Sequence, residues 1–187
     1  MGFTVCDAVY FEDASQVIPS ALPKALDRGV TIADLNNDDL PEVLFVGYDE
    51  PRLYRNDGNL TFTEVTSTWG AVFANETKVN KARFVDIEGD GQWEVFFPNG
   101  KDLEPEADRL YHWNGSQFVN DGLIPSVPKI TLNCDFADLN NDGWLDILAV
   151  NTDDTMHLFL SDANAGTYGR EVPVGFIDRQ AMPNSST

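Results

Sequence analysis

The sequence is short of cysteine, histidine and basic residues. Its 187 residues include two cysteines, two histidines and 12 Lys or Arg, against 31 Asp or Glu. Two cysteines are too few for a disulfide-built scaffold, and no CxxC or Cys/His cluster indicates zinc. The net charge of −19 disfavours nucleic acid and anionic membrane surfaces, which need a basic partner, and favours a cation. No apolar run approaches the roughly 18–20 residues of a membrane helix.

The sequence also lacks the motifs of common enzymes. No nucleophile elbow, P-loop, GxGxxG or HExxH pattern is present. His112 and His157 fall at equivalent places in two repeats, which indicates a structural role rather than a catalytic pair. The many acids offer pairs for glycoside hydrolysis, but nothing in the pattern marks one pair. We therefore expect a protein that is not an enzyme.

An acidic loop occurs three times at a constant spacing. Its first aspartates, Asp34, Asp86 and Asp138, lie 52 residues apart. Each loop follows a short strand-like segment and leads into an apolar run, which indicates a strand buried on both faces. The three segments are residues 30–46, 82–97 and 134–150.

A second pattern follows each loop. It consists of a short alternating strand, a turn rich in Asn, Asp, Gly or Ser, and a strand that carries an aromatic residue, as in RLYRNDGNLTF at residues 52–62. This is a hairpin pattern. Four short strands per 40–50 residues are typical of a β-propeller blade. We predict an all-β fold built from blades of four antiparallel strands, with another tandem all-β repeat as the alternative.

Three repeats are fewer than the four to eight blades that close a propeller. We therefore expect an incomplete propeller or part of a larger one. The predicted units are a last strand of a preceding blade with a connector (1–29), three blades (30–81, 82–133 and 134–174), and a tail or start of a further blade (175–187).

The loops carry acids or amides at positions 1, 3, 5 and 9, and position 7 can supply a backbone carbonyl. Oxygen ligands that converge from alternate positions of a tight loop suit calcium. We predict about three Ca²⁺ per chain, with turn formation alone as the alternative. The candidate ligands are Asp34, Asn36, Asp38, Leu40 and Glu42; Asp86, Glu88, Asp90, Gln92 and Glu94; and Asp138, Asn140, Asp142, Trp144 and Asp146.

Position 6 of the loop is expected to need a positive φ. It is Gly91 and Gly143 in two loops but Asp39 in the first, where the site is expected to be weaker. The loops are not EF-hands, because position 12 lies in an apolar strand instead of supplying a bidentate Glu.

At these residues the chain resembles the FG-GAP/VCBS repeat family, whose blades carry a DxDxDGxxD calcium loop. The hairpin that follows is most similar to the branch that contains cartilage acidic protein and the ASPIC/UnbV proteins. Glu42, Glu88 and Glu94 depart from the more usual Asp. The resemblance implies calcium-stabilised blades, an extracellular or cell-surface location, and non-catalytic binding of a protein or glycan. Two alternatives remain open: a structural subunit of a glycosylated surface filament or assembly in which blades pair between chains, and an accessory propeller of a larger enzyme.

Four sequons and two cysteines fit an extracellular protein. An exposed turn can accept a glycan, although Asn and Ser/Thr are also ordinary turn residues. Cys6 and Cys134 can pair in an oxidising compartment; alternatively, Cys134 is a small buried strand residue. The candidate glycosylation sites are Asn59, Asn75, Asn114 and Asn184.

Overall fold

The fold is almost entirely antiparallel β-structure, as the sequence predicts. The computed structural model describes residues 13, 28–77, 79–100, 104–120, 122, 124–125, 128–153, 155–162 and 167–173, and only the backbone of 162 and 167–173. Most of the predicted units 1–29 and 175–187 therefore lies outside the described residues.

Three four-stranded sheets follow one another along the chain, each with its strands adjacent in chain order. The first sheet contains β1 (Gly29–Ala33), β2 (Glu42–Val46), β3 (Arg52–Asn56) and β4 (Phe62–Glu64). The second contains β5 (Arg83–Val85), β6 (Glu94–Phe97), β8 (Arg109–Trp113) and β9 (Phe118–Val119). The third contains β11 (Thr131–Ala137), β12 (Asp146–Asn151), β13 (Met156–Asp162) and β14 (Thr167–Pro173).

Four further short elements were not predicted. Helix α1 (Thr66–Trp69) and a 3-10 helix (Ala71–Asn75) connect the first sheet to the second. Strand β7 (Glu106–Ala107), inserted between β6 and β8, pairs with β10 (Pro128–Lys129). All of these elements are too short to show a recognisable period in the sequence. The two strands also pair with each other across a long stretch of intervening chain.

Consecutive sheets pack face to face through apolar side chains. Leu44 and Leu53 of the first sheet share a core with Val95 and Phe97 of the second. A second core joins the second and third sheets. It contains Val85, Ile87, Phe96, Leu110, Cys134, Ile147, Ala149 and Phe159. The first strands of neighbouring sheets also meet directly, because the Phe84 backbone amide donates to Thr31 Oγ1 at 3.1 Å.

Only the middle sheet matches the expectation that the second strand is buried on both faces. All four residues of β6 are buried. In β2, by contrast, buried and half-buried residues alternate, and Val150 of β12 is exposed. The expectation is therefore wrong for β2 and β12. Among the described residues, the middle sheet is packed from two sides and each outer sheet from one.

A buried polar network lies where the second sheet meets the third. Asp108 Oδ1 accepts from the Asn99 amide at 2.8 Å, and Asp108 Oδ2 lies 3.1 Å from Thr131 Oγ1. The same hydroxyl lies 2.9 Å from Asn151 Oδ1. A threonine hydroxyl has one proton and cannot donate to both oxygens. A protonated Asp108 resolves this by donating to Thr131, and burial raises the pKa of Asp108 to about 7.

Asp108→Asn is expected to remove one component of the pH dependence of folding. Between about pH 4 and pH 7, folded Asp108 holds a proton that the unfolded chain has lost, so stability falls as the pH rises. Relative to wild type, the variant should gain up to about 4 kcal/mol of unfolding free energy from pH 4 to pH 8. Urea denaturation at a series of pH values measures this.

The control for this experiment is Asp153→Asn. Lys129 and Thr155 hold the pKa of the exposed Asp153 carboxyl at about 2, outside the measured range. The unfolding free energy of the control should therefore change with pH in the same way as that of wild type. If the unfolding free energy of Asp108→Asn also has the same pH dependence as that of wild type, Asp108 does not titrate with a raised pKa.

Candidate metal centre

The three acidic loops form the turns between the first and second strands of the sheets, β1–β2, β5–β6 and β11–β12. Each loop begins directly after its first strand or within one residue of it, and position 9 is the first residue of the second strand. Because these strand pairs are in register, the loops hold equivalent places in the three sheets.

The carboxylate at position 1 binds the backbone of its own loop. Asp34 accepts from the amides of Asp38 and Asp39, at 3.1 and 2.9 Å. The same two distances recur in both other loops, where Asp86 and Asp138 accept from the amides of positions 5 and 6. The position 5 carboxylate in turn accepts from the position 7 amide at 2.8–2.9 Å. One hydrogen-bond pattern therefore closes all three loops.

The acid at position 9 is buried and reaches back across the loop. Glu42 Oε2 accepts from the Leu35 amide at 2.9 Å. Glu94 does the same with Ile87, and Asp146 with Leu139. A turn needs no buried acid at this point, so turn formation alone does not explain the residue type.

Positive φ angles occur at two positions of every loop. At position 6, Asp39, Gly91 and Gly143 have φ of 66°, 83° and 94°, which confirms the expectation for that position. Position 4 is also left-handed, with φ of 59–70° at Asn37, Gly89 and Asn141. Sequence reasoning missed position 4, although Asn and Gly are the residues that best tolerate this conformation.

The second loop differs from the others at position 3. Asn36 and Asn140 each bridge to the position 5 carboxylate, at 2.9 and 2.8 Å. Glu88 replaces this amide in the second loop, where the Gln92 side chain donates to Asp90 Oδ2 at 3.0 Å instead. At positions 1, 3, 5 and 9 the second loop therefore carries four carboxylates, where each of the others carries three.

Burial, together with neighbouring negative charges, raises the pKa of three glutamates in the first two loops. Burial raises the pKa of Glu94 to about 8, and the negative charges of Glu88, Asp86 and Asp90 add to the rise. Burial also raises the pKa of Glu42 and Glu88, with smaller contributions from neighbouring aspartates. A nearby cation lowers the pKa of a carboxylate, so it would oppose these shifts.

The geometry of the Glu42 side chain also indicates that its carboxylate needs a positively charged partner. Its side chain is 0% exposed, and Oε1 has no hydrogen-bond partner among the described residues. The Asn56 backbone amide favours the charged carboxylate but does not reach normal hydrogen-bond geometry. A buried carboxylate oxygen without a donor is costly, and a bound cation would remove that cost.

The donor set fits a hard divalent cation. Positions 1, 3, 5 and 9 supply oxygens only, and each carboxylate keeps lone pairs beyond those that accept backbone amides. In the part of the chain that the structure describes, no three acidic, histidine or cysteine side chains are already arranged to hold an ion. The loop backbones are formed, whereas the side-chain oxygens point mainly to backbone amides.

The remaining candidate residues lie apart from the loops. Asn59 and Asn114 are exposed in the third-to-fourth-strand turns of the first two sheets, and Asn75 is exposed at the end of the 3-10 helix. Cys134 is a free, buried thiol, as one alternative predicts, and burial raises its pKa to about 12. Asn184 and Cys6 lie outside the described residues.

Comparison with known proteins supports the repeat. Residues 34–97, from the first acidic loop through β6, match the family model described as an FG-GAP-like repeat. No curated protein matches the chain. None of the described helices has the length and apolarity to cross a membrane.

Asp39→Gly is expected to stabilise the protein by about 0.5–1 kcal/mol, because glycine adopts a positive φ without strain. Urea denaturation in chelator measures the effect independently of metal. Asp49→Gly is the matched control, since it removes the same charge from an exposed turn residue that does not have a positive φ. The control should be neutral or destabilising; a similar gain from both variants would point to charge rather than strain.

Proposed function

We propose that the chain is a non-catalytic, calcium-binding β-propeller module that binds a protein or glycan outside the cell or at its surface. The observation that carries this is the recurrence of one loop, with oxygen side chains at positions 1, 3, 5 and 9, in three equivalent turns. The FG-GAP-like repeat at residues 34–97, which includes the first two loops, supports the same proposal.

Two features favour a cation over turns alone. Positions 1, 3, 5 and 9 of the loops concentrate ten carboxylates in three small regions, and in each loop the position 9 acid is buried. Calcium accepts six to eight oxygen ligands in flexible geometry, whereas magnesium requires a smaller, near-octahedral set. Loops that offer side-chain and backbone oxygens from alternate positions therefore suit calcium better.

The experiment that tests the proposal is thermal melting in millimolar calcium, in millimolar magnesium and in excess chelator. Native mass spectrometry of the same protein counts the bound ions. We expect a calcium-specific rise in Tm with about three ions per chain, because a ligand that binds only the native state stabilises it. No bound ion and no shift would leave the loops as turns.

Glu94→Gln should separate a metal ligand from a structural residue. In chelator the variant should be as stable as wild type or more so, because Gln is neutral without taking up a proton, whereas Glu94 must be protonated or bury a charge there. Gln Oε1 can still accept from the Ile87 amide. In calcium it should lose at least one ion and part of the Tm rise. Glu64→Gln, on exposed strand β4, is the control and should change neither quantity. An equal loss in both conditions would contradict a metal role for Glu94.

A second candidate function is a structural subunit whose sheets stack between copies of the chain. Leu35 and Ile87, at position 2 of the first two loops, are 1% exposed because the next sheet covers them. Their equivalent in the third loop, Leu139, is 50% exposed. At the other end of the array, Val30 and Ile32 lie on the face of β1 opposite Thr31 and are also exposed. Each outer sheet thus presents the apolar face that the repeat elsewhere covers.

Head-to-tail stacking of two copies would cover both exposed faces at once. Ile32→Glu should then weaken association at least about 10-fold, since it replaces buried apolar area with a charge. Sedimentation velocity over a concentration series measures this. Leu60→Glu is the control, because Leu60 is 56% exposed, against 58% for Ile32, but lies in the β3–β4 turn. A monomer at all concentrations, or equal effects of both variants, would contradict stacking.

A further inference from the structure

The buried acid at position 9 of the third loop is fully occupied by donors of the protein itself. Asp146 Oδ2 accepts from the Leu139 amide at 2.9 Å, and Oδ1 accepts from the Ser161 amide at 2.9 Å. The Ser161 hydroxyl also donates to Asp146 Oδ1, at 3.2 Å. Three protein groups therefore compensate the charge of this carboxylate, and both of its oxygens are engaged.

Glu42, the corresponding acid of the first loop, has far less compensation. Its Oε2 accepts from the Leu35 amide at 2.9 Å, whereas the buried Oε1 has no hydrogen-bond partner among the described residues. Burial and then the charges of Asp38 and Asp34 raise its pKa, so this carboxylate lies beside the other acids of its loop. A carboxylate offers about four lone-pair sites, of which Glu42 keeps about three and Asp146 about one.

The difference arises in the third strand of each sheet. The strand pairing puts Asn56 of β3 and Ser161 of β13 in equivalent places, beside the position 9 acids of their sheets. Asn56 Oδ1 accepts from the Gly58 amide at 3.0 Å, so this side chain is engaged in its own turn. Trp113, the equivalent residue of β8, donates its amide to the Trp93 carbonyl at 2.9 Å. Among these three residues, Ser161 alone places a hydroxyl on the buried acid.

We propose that the first loop binds its cation more tightly than the third, and that Ser161 is the positioning residue that causes the difference. The proposal rests on the calcium-binding function proposed above. Glu42 can present Oε1 to a cation without breaking a hydrogen bond, whereas Asp146 must give up the Ser161 hydroxyl to present Oδ1. Loss of a charge-assisted hydrogen bond corresponds to a difference in affinity of about 10-fold.

The strain at Asp39 does not reverse this order. Its positive φ of 66° belongs to a loop backbone that is closed without a cation, because Asp34 accepts from the amides of Asp38 and Asp39. Strain that is equal in the free and the bound loop lowers the stability of the fold but cancels in the affinity. The order therefore differs from the sequence-based expectation that the first site is the weaker one.

The test is a calcium titration of ¹⁵N-labelled, chelator-treated protein followed by NMR. The amides of Asp39 and Gly143, both at position 6, report on the first and third loops. The Asp39 signal should reach its midpoint at about 10-fold lower free calcium than the Gly143 signal. Equal midpoints or the opposite order would overturn this proposal and leave calcium binding intact. No shift in any loop at millimolar calcium would overturn both proposals.

Ser161→Ala should tighten calcium binding in the third loop. Because the variant removes the hydroxyl that competes with the cation for Asp146, the Gly143 midpoint should fall at least about 3-fold. The Asp39 midpoint should stay unchanged. A purely structural role of Ser161 would give the reverse, a looser third loop with weaker binding, so a Gly143 midpoint that rises or stays the same would contradict the proposal.

Ser116→Ala is the matched control for this variant. It also removes a serine hydroxyl that donates to a side-chain oxygen, since Ser116 Oγ lies 3.0 Å from Asn114 Oδ1 in the turn between β8 and β9. This turn contains none of the loop acids, so both midpoints should match those of wild type. A fall in the Gly143 midpoint equal to that of Ser161→Ala would remove the assignment to Ser161.

Melting in chelator tests the different compensation of the two acids without any cation. Asp146→Asn should lower the Tm by at least about 2 °C, because its NH₂ group would face a backbone amide that now donates to the carboxylate. Glu42→Gln should leave the Tm unchanged or raise it, since its NH₂ group can replace the unpartnered Oε1. Equal losses of Tm in the two variants would show that both acids are compensated alike, against the proposal.

Discussion

A buried carboxylate at the start of each second strand ties the first two strands of its sheet together. Glu42, Glu94 and Asp146 each begin a strand, and each accepts from the amide of position 2, close to the end of the preceding strand. The bond closes the loop across seven residues. Burying a charged carboxylate is costly without compensation. The stability of the loop therefore depends on the group that balances this charge.

The position 2 residue links the loop to the packing of neighbouring sheets. Its amide binds the buried acid, and in the first two loops its side chain lies in the apolar core between sheets, as Leu35 and Ile87 show. The Ile87 carbonyl also accepts from the Leu145 amide of the next loop, at 3.2 Å. A change in charge at the loop centre is therefore one residue away from the interface between two sheets.

The sequence predicts the local fold well because the same pattern occurs three times at a constant spacing. The spacing of Asp34, Asp86 and Asp138 leads to three sheets, and the hairpin pattern places their outer strands. Position 6 also follows from residue type, since two glycines mark a positive φ. The left-handed position 4 was open to the same argument from Asn37, Gly89 and Asn141, but only one of these three residues is glycine.

The features that the sequence did not predict depend on which segments pack together in the fold, and not on a local sequence pattern. The apolar runs of β2, β6 and β12 look alike, yet only β6 is buried throughout, because burial is set by the number of packed sheets. The β7–β10 pair and the Asp108–Thr131 contact join segments about 20 residues apart. Contacts between segments that are distant in the sequence leave no periodic pattern in it.

The packing between sheets connects these local features. Thr31 accepts from the Phe84 amide within β1, and Leu35 lies in the apolar core directly after this strand. A cation bound in the first loop would therefore act on the packing of the second sheet through a strand only five residues long. The interface between sheets, rather than any single loop, is the element through which neighbouring loops can influence each other.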